Sequence, residues 1–325
     1  MRRMRIALMG LLVFLFASCA QTEKHTVLKL AHGLDPTHPV HKGMAFMTKR
    51  VNEISDGKLQ IDIYPSGQLG SEQQCVELLQ IGSLAITKVS AAVMESFIED
   101  YKVLSIPYIF KSKQHGYDVF DGEIGDELLA STEPFFIKGL CFYDAGSRSF
   151  YTINTPIKKP EDLEGLKIRV MKSNTAVNMI KTLGGSPTPI SFGELYTALQ
   201  SGVVDGAENN PPSFYFSHHY EVCKHYTLNE HAMIPDVLII STHVWKKLTD
   251  QEKEWLSQAV SESVVEQRKL WAQAVEESLE AVQKAGVKIY YPDKEPFAKK
   301  VEPMYETYRD NEKIYSLIQR IRAVD

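Results

Sequence analysis

Short runs of strand-forming residues alternate with longer helical patterns along nearly the whole chain, and that alternation specifies an α/β protein. Val27-Leu28-Lys29-Leu30 reads as a first strand, and Pro39 to Glu53 follows as a helix with Val40, Met44, Met47 and Val51 on one face. Leu59, Ile61 and Ile63 alternate with polar residues in a second strand. Ser71-Glu72 opens a helix running through Ile81, and Leu84 to Val89 forms a third strand. Gly139 to Tyr143 and Phe150 to Asn154 flank an expected turn, Ala145-Gly146-Ser147-Arg148, where the chain is expected to cross into a second lobe. That lobe repeats the pattern: strand Leu166 to Val170, helix Ser173 to Leu183 stopped by Gly184-Gly185, a helix from Ser191 through Gln200, and strand Val204 to Ala207. Val237 to Ser241 would return the chain to the first lobe. Thr249 to Ala285 is helical throughout and about 54 Å long at 1.5 Å per residue. It outruns one small lobe and is expected to brace both, although two helices broken near Ser261–Ser263 fit the same periodicity.

A body of about 300 residues exceeds a comfortable single core, so two lobes with a cleft between them are expected. The boundaries read as 26–148 plus 240–275 for lobe I and 149–239 plus 276–325 for lobe II. Residues 1–19 read as an export leader: Arg2, Arg3 and Arg5, then the apolar run Ile6 to Phe16, then Ala17-Ser18 before Cys19. The apolar run is about eleven residues, too short to span a bilayer. Phe16-Ala17-Ser18-Cys19 resembles a bacterial lipobox, whose cysteine is lipidated; ordinary cleavage, with Cys19 an incidental thiol, is the alternative. The lipobox reading places the body in the periplasm or at the outer face of the cytoplasmic membrane, lipid-anchored. Cys75, Cys141 and Cys223 are scattered and odd in number, which suits buried small hydrophobes better than a disulfide framework. Formal charge is -5 with no basic block, which argues against nucleic acid. An anionic ligand would need a local set of positive groups.

The sequence contains no G-x-S-x-G, H-E-x-x-H, P-loop or dinucleotide glycine fingerprint. Among ten histidines, His38 with His41 and the pair His218-His219 invite a metal reading. Pro39 interrupts the first pair, and adjacent histidines point apart, so no closed ligand set is evident. Arg169 is the more informative residue, because it stands at the C-terminal end of a strand, where open α/β sheets place their clefts. Its planar fork matches a carboxylate with two parallel hydrogen bonds. Position alone also fits a surface arginine. Three first-lobe residues can point into the same cleft: His32 ending the first strand, Glu72 opening a helix, and Lys88 ending the third strand. Lys88 interrupts a strand otherwise apolar enough to be buried, unless it merely snorkels.

Further motifs sharpen this picture. Gly165 to Val170, Gly184-Gly185-Ser186-Pro187-Thr188-Pro189, and Glu194 through Val204-Asp205-Gly206-Ala207-Glu208-Asn209 closely resemble the central signature of solute receptors of tripartite ATP-independent periplasmic (TRAP) transporters, the DctP-like family. Tyr64-Pro65-Ser66-Gly67-Gln68-Leu69-Gly70 and Ile106-Pro107-Tyr108-Ile109-Phe110 are similar to its first-lobe markers. The resemblance covers the chain after the leader and implies a two-lobed periplasmic-binding-protein-like fold that closes on a carboxylated solute and hands it to membrane permease subunits. It calls for no cofactor and no catalytic residue. It implies that Arg169 holds the ligand carboxylate, that Asn209 and Phe192 line the cleft, and that Arg148 is a second basic residue there. Asn209 as a plain turn residue and Phe192 as core packing are the simpler readings. Two or three cations, an acidic partner and several amide or imidazole donors suit one carboxylate and many hydroxyls. Glu208 to Phe214 followed by His219-Tyr220-Glu221-Val222 looks like the subgroup taking hexuronates such as glucuronate and galacturonate, except that His218 stands where an arginine is expected. A C4-dicarboxylate or aldonate receptor is the near alternative. An exported sugar-acid lyase or isomerase with Lys88 or a histidine as base, and a metal-capturing lipoprotein using His38, His41 and His218, are the rivals from other classes.

Overall fold

The computed structural model describes residues 25–324. The expected leader and Cys19 lie outside the described residues. Among the described residues eleven strands are present: β1 (Thr26–Ala31), β2 (Leu59–Tyr64), β3 (Ile86–Ser90), β4 (Ile137–Tyr143), β5 (Ser147–Thr152), β6 (Lys167–Val170), β7 (Ser186–Pro189), β8 (Gly206–Asn209), β9 (His225–Met233), β10 (Asp236–Ser241) and β11 (Lys288–Tyr290). They form two sheets, ordered β2-β1-β3-β10-β4 and β11-β9-β5-β8-β6-β7. In each sheet one strand runs antiparallel to both neighbours, β10 in the first and β5 in the second. Those two strands receive the chain as it changes lobe. β4 leads into β5 and β9 leads into β10, with Asp236 opposite Tyr143 and Ser147 opposite Met233. The two crossings therefore run side by side as a narrow antiparallel ribbon, a suitable hinge for two lobes.

Apolar periodicity accounts for the regular elements. Helix Pro39–Ile54 starts at Pro39, which suits a first helical position, and the His38 imidazole Nδ1 accepts from the Val40 amide at 3.3 Å. Val40, Met44, Met47 and Val51 are all completely buried against the first sheet. Helix Asp250–Lys284 is continuous for 35 residues, opened by a Thr249/Glu252 capping box. The Ser261–Ser263 stretch does not break it, because the Ser263 hydroxyl is absorbed by the Val260 carbonyl and the Tyr143 hydroxyl. Leu256, Val260 and Trp271 pack in the first lobe and Val282 in the second, so this helix braces both.

The structure moves several boundaries. Sheet membership changes at Ser147 and again at Asp236, so lobe II begins and ends a few residues earlier than 149 and 239. Residues 276–325 do not all stay with lobe II. Phe297, Val301 and Met304 do, but the terminal helix Glu312–Ala323 buries Ile314, Leu317, Ile318 and Ile321 with Phe120, Ile124 and Leu128 of the first lobe. Strand β8 is displaced from 204–207 to Gly206–Asn209, which brings Glu208 and Asn209 into the sheet. Ser147 and Arg148 belong to β5 and not to a turn. Cys75, Cys141 and Cys223 are free and buried. Among the described residues no helix is long and apolar enough to cross a membrane.

Candidate functional site

A cavity of about 720 Å³ lies between the lobes, reached by β3 and β10 from one side and by β6 and β8 from the other. Of the residues singled out from sequence, it is lined by Arg169, Asn209, Arg148, Phe192, Lys88 and Glu72. His32 is the exception. Its Nδ1 accepts from the Leu34 amide at 3.1 Å and its Nε2 faces His41 Nδ1 at 3.0 Å, so the ring is used up behind the cleft wall. Burial drives its pKa down to about 3, which keeps it neutral. His38 lines the cavity instead, and its Nε2 meets the Ser213 hydroxyl of the other lobe at 3.2 Å.

Arg169 is 1% exposed. Its Nε donates to the Ile190 carbonyl at 2.8 Å, while Nη1 is buried without any partner. No carboxylate of the described residues pairs with it, and burial pushes its pKa down despite the more distant Glu208. The Phe192 ring lies 6.0 Å from its guanidinium carbon, half-buried, and also packs edge-on to His219. A desolvated guanidinium with free fork donors is costly unless an anion completes it.

Arg148 is different. Its Nε and Nη2 meet the two Glu208 carboxylate oxygens at 2.5 and 2.9 Å, and its Nη1 donates to Asn209 Oδ1 at 2.8 Å. Burial alone would raise the Glu208 pKa, but Arg148 and His231 hold it at about 2. Arg148 is thus neutralised within the protein. It orients Asn209, whose side-chain oxygen also accepts from the Asn210 amide at 2.9 Å, leaving the Asn209 NH₂ for the cavity.

On the first lobe the Lys88 ammonium, 2% exposed, donates to Glu72 Oε1 at 2.9 Å and to Asp236 Oδ1 at 3.0 Å. Asp236 stands diagonally across from Lys88, since Leu238 is the residue opposite it, and so shares its sheet face. Burial would discharge Lys88, but the two carboxylates raise its pKa and hold it as a cation. A lysine locked this way cannot serve as a base, contrary to the enzyme reading. The histidines of the metal reading form no group that could hold an ion among the described residues: His41 faces His32, and His218 is exposed beside Glu221. Sequence reasoning did not single out Asp236 or Glu208 as site residues, and it offered His38 only as a metal ligand. For Asp236 a signal existed, a carboxylate heading the apolar run Val237–Ile240 just as Lys88 interrupts β3.

A two-lobed α/β body whose interlobe cavity holds a buried, unpaired guanidinium defines a solute-binding receptor for an anion. The chain belongs to the DctP family, bacterial extracellular solute-binding proteins of family 7, whose model matches residues 30–311. It is 39% identical over 300 residues to protein YiiZ of Salmonella typhimurium, covering 92% of this chain and 91% of that one. A TRAP periplasmic solute-binding protein of Xanthobacter autotrophicus, solved with bound β-D-galacturonate, superposes with a TM-score of 0.89 at 40% identity, over 92% of this chain and 100% of that one. One from Anaerococcus prevotii, solved with α/β-D-glucuronate, gives 0.88 at 37% identity, over 91% and 98%. The family consists of transport receptors and not enzymes.

Proposed function

We propose that this chain captures a hexuronate, such as galacturonate or glucuronate, outside the cytoplasm and delivers it to a TRAP permease. The unpaired Arg169 guanidinium carries the reading, because a uronate carboxylate supplies the two acceptors its fork lacks. Phe192 shields that ion pair from water, and Asn209, set by Arg148 and Glu208, offers its NH₂ to a ring or hydroxyl oxygen. Lys88, Glu72 and Asp236 present donors and acceptors from the other lobe, so one ligand touching both sides favours closure about the β4–β5 and β9–β10 ribbon. The hexuronates held by two relatives of similar fold support the choice of ligand. A thermal-shift series tests it: D-galacturonate or D-glucuronate raises the melting temperature in a saturable way, while the neutral sugars do not. No shift with any uronate up to millimolar concentration refutes it. Attachment through an acylated Cys19 belongs to the same reading and rests on Phe16-Ala17-Ser18-Cys19. Cys19→Ser should move the protein from the membrane fraction to the soluble one, and an unchanged distribution would remove the anchor.

A further inference from the structure

Apart from the exposed Glu77, Lys172 and Glu194 at its rim, the charges lining the cavity are paired unequally between its two walls. On the second lobe Glu208 cancels Arg148, leaving Arg169 as a free positive charge. On the first lobe one cation, Lys88, stands between two carboxylates, Glu72 and Asp236. That wall carries a net negative charge, and all three groups line the cavity. Two of the three ammonium protons of Lys88 are occupied by these carboxylates, so one remains for a ligand oxygen. The remaining carboxylate lone pairs need hydrogen-bond donors.

We infer that this wall makes the receptor selective for sugar acids with a single carboxylate and excludes diacids of the same carbon skeleton. The inference rests on the hexuronate reading and adds which acids are refused. A hydroxyl reaching Glu72 or Asp236 donates its proton and accepts from Lys88. A second carboxylate reaching the same place has no proton to donate and sets acceptor against acceptor. It also brings a further negative charge to a wall already negative, and once the lobes close on the ligand and exclude water, like charges there repel far more strongly than in bulk solvent. Lys88 does not rescue it, because its charge is already shared by two partners.

The test is calorimetric titration at neutral pH with D-galacturonate, galactonate and galactarate, three acids on one skeleton that end in a ring hydroxyl, an open-chain hydroxyl and a second carboxylate. Galacturonate should bind, galactarate roughly 100-fold more weakly, and galactonate between them. Glu72→Gln removes the excess negative charge and should narrow the galacturonate-to-galactarate ratio by about tenfold; Asp236→Asn should do the same. Galactarate binding within threefold of galacturonate to the unaltered protein overturns the inference and leaves the uronate reading intact. Failure of all three acids to bind overturns both. The unaltered protein decides the question by itself, so a variant that does not fold does not leave it open.

Discussion

Replacing Arg169 with methionine should separate binding from stability in opposite directions. The Arg169 guanidinium is 1% exposed, makes one hydrogen bond, to Ile190 O at 2.8 Å, and leaves Nη1 without a partner among the described residues. Its burial costs several kcal/mol, of the order found for poorly paired interior charges. Methionine is unbranched, of comparable reach and adaptable in packing. Arg169→Met removes that cost and forfeits the Ile190 hydrogen bond, worth about 1–3 kcal/mol once its acceptor is left buried. Ligand-free stability should therefore stay level or rise by about 1–3 kcal/mol, which is a few degrees in a chain of this size. Binding should lose roughly 2–5 kcal/mol, about 30- to 5,000-fold in Kd. Differential scanning calorimetry with and without D-galacturonate reads both. Ligand at about 100 times the unaltered protein's Kd should stabilise that protein by about 2.7 kcal/mol and the variant by less than about 1 kcal/mol. A variant that melts well below the unaltered protein and still responds to ligand would make Arg169 a structural residue, and the reasoning would fail.

Two further outcomes follow from the same geometry. His32 and His219 are held at about 3 by burial, and His38 is pushed well below its ordinary value by burial and by Lys88. Because the folded protein binds these protons less readily than the unfolded chain, their contribution is complete above about pH 6.5 and is lost as pH falls, by roughly 2 kcal/mol per ring at pH 5 at most. The depressed Glu208 loses its contribution only below its unfolded value near 4, so the interval from pH 7 to 5 reports on the histidines, and a flat melting temperature across it would contradict their burial as neutral rings. Gly146 sits in the first crossing at φ +57°, where an added Cβ would come within 2.9 Å of the Trp271 indole nitrogen. Gly146→Ala should cost about 1–3 kcal/mol and disturb Trp271, which lines the cavity; an unchanged denaturation midpoint together with an unchanged tryptophan emission spectrum would show that the crossing tolerates a side chain.

What the sequence discloses depends on whether a residue's role is decided locally. The helix from Pro39 and the long helix from Asp250 were legible because their apolar spacing and caps are local signals. The terminal helix carries an amphipathic stripe, yet the expectation that 276–325 belongs to lobe II fails there, since such a stripe shows that a face is buried and not which surface buries it. Strand β9 escaped notice because Thr227, Asn229 and His231 look solvent-facing and are all buried. The site divides in the same way. Arg169 could be picked out because strand end, residue type and neighbouring motif coincide, and it stays unpaired. Arg148 and Lys88 looked equally available, yet Glu208 lies 60 residues from Arg148 along the chain, and Asp236, the second partner of Lys88 beside Glu72, lies 148 residues from it. Residue types alone suggested two or three cations and an acidic partner around one carboxylate and many hydroxyls, without showing which cation stays free. The fold cancels Arg148 and more than cancels Lys88, leaving Arg169 as the buried positive point that faces a negative wall, with Lys172 exposed at the rim. Charge selectivity is therefore a property of the pairing, and a substitution that breaks one pair should alter which acid binds even where every cation is kept.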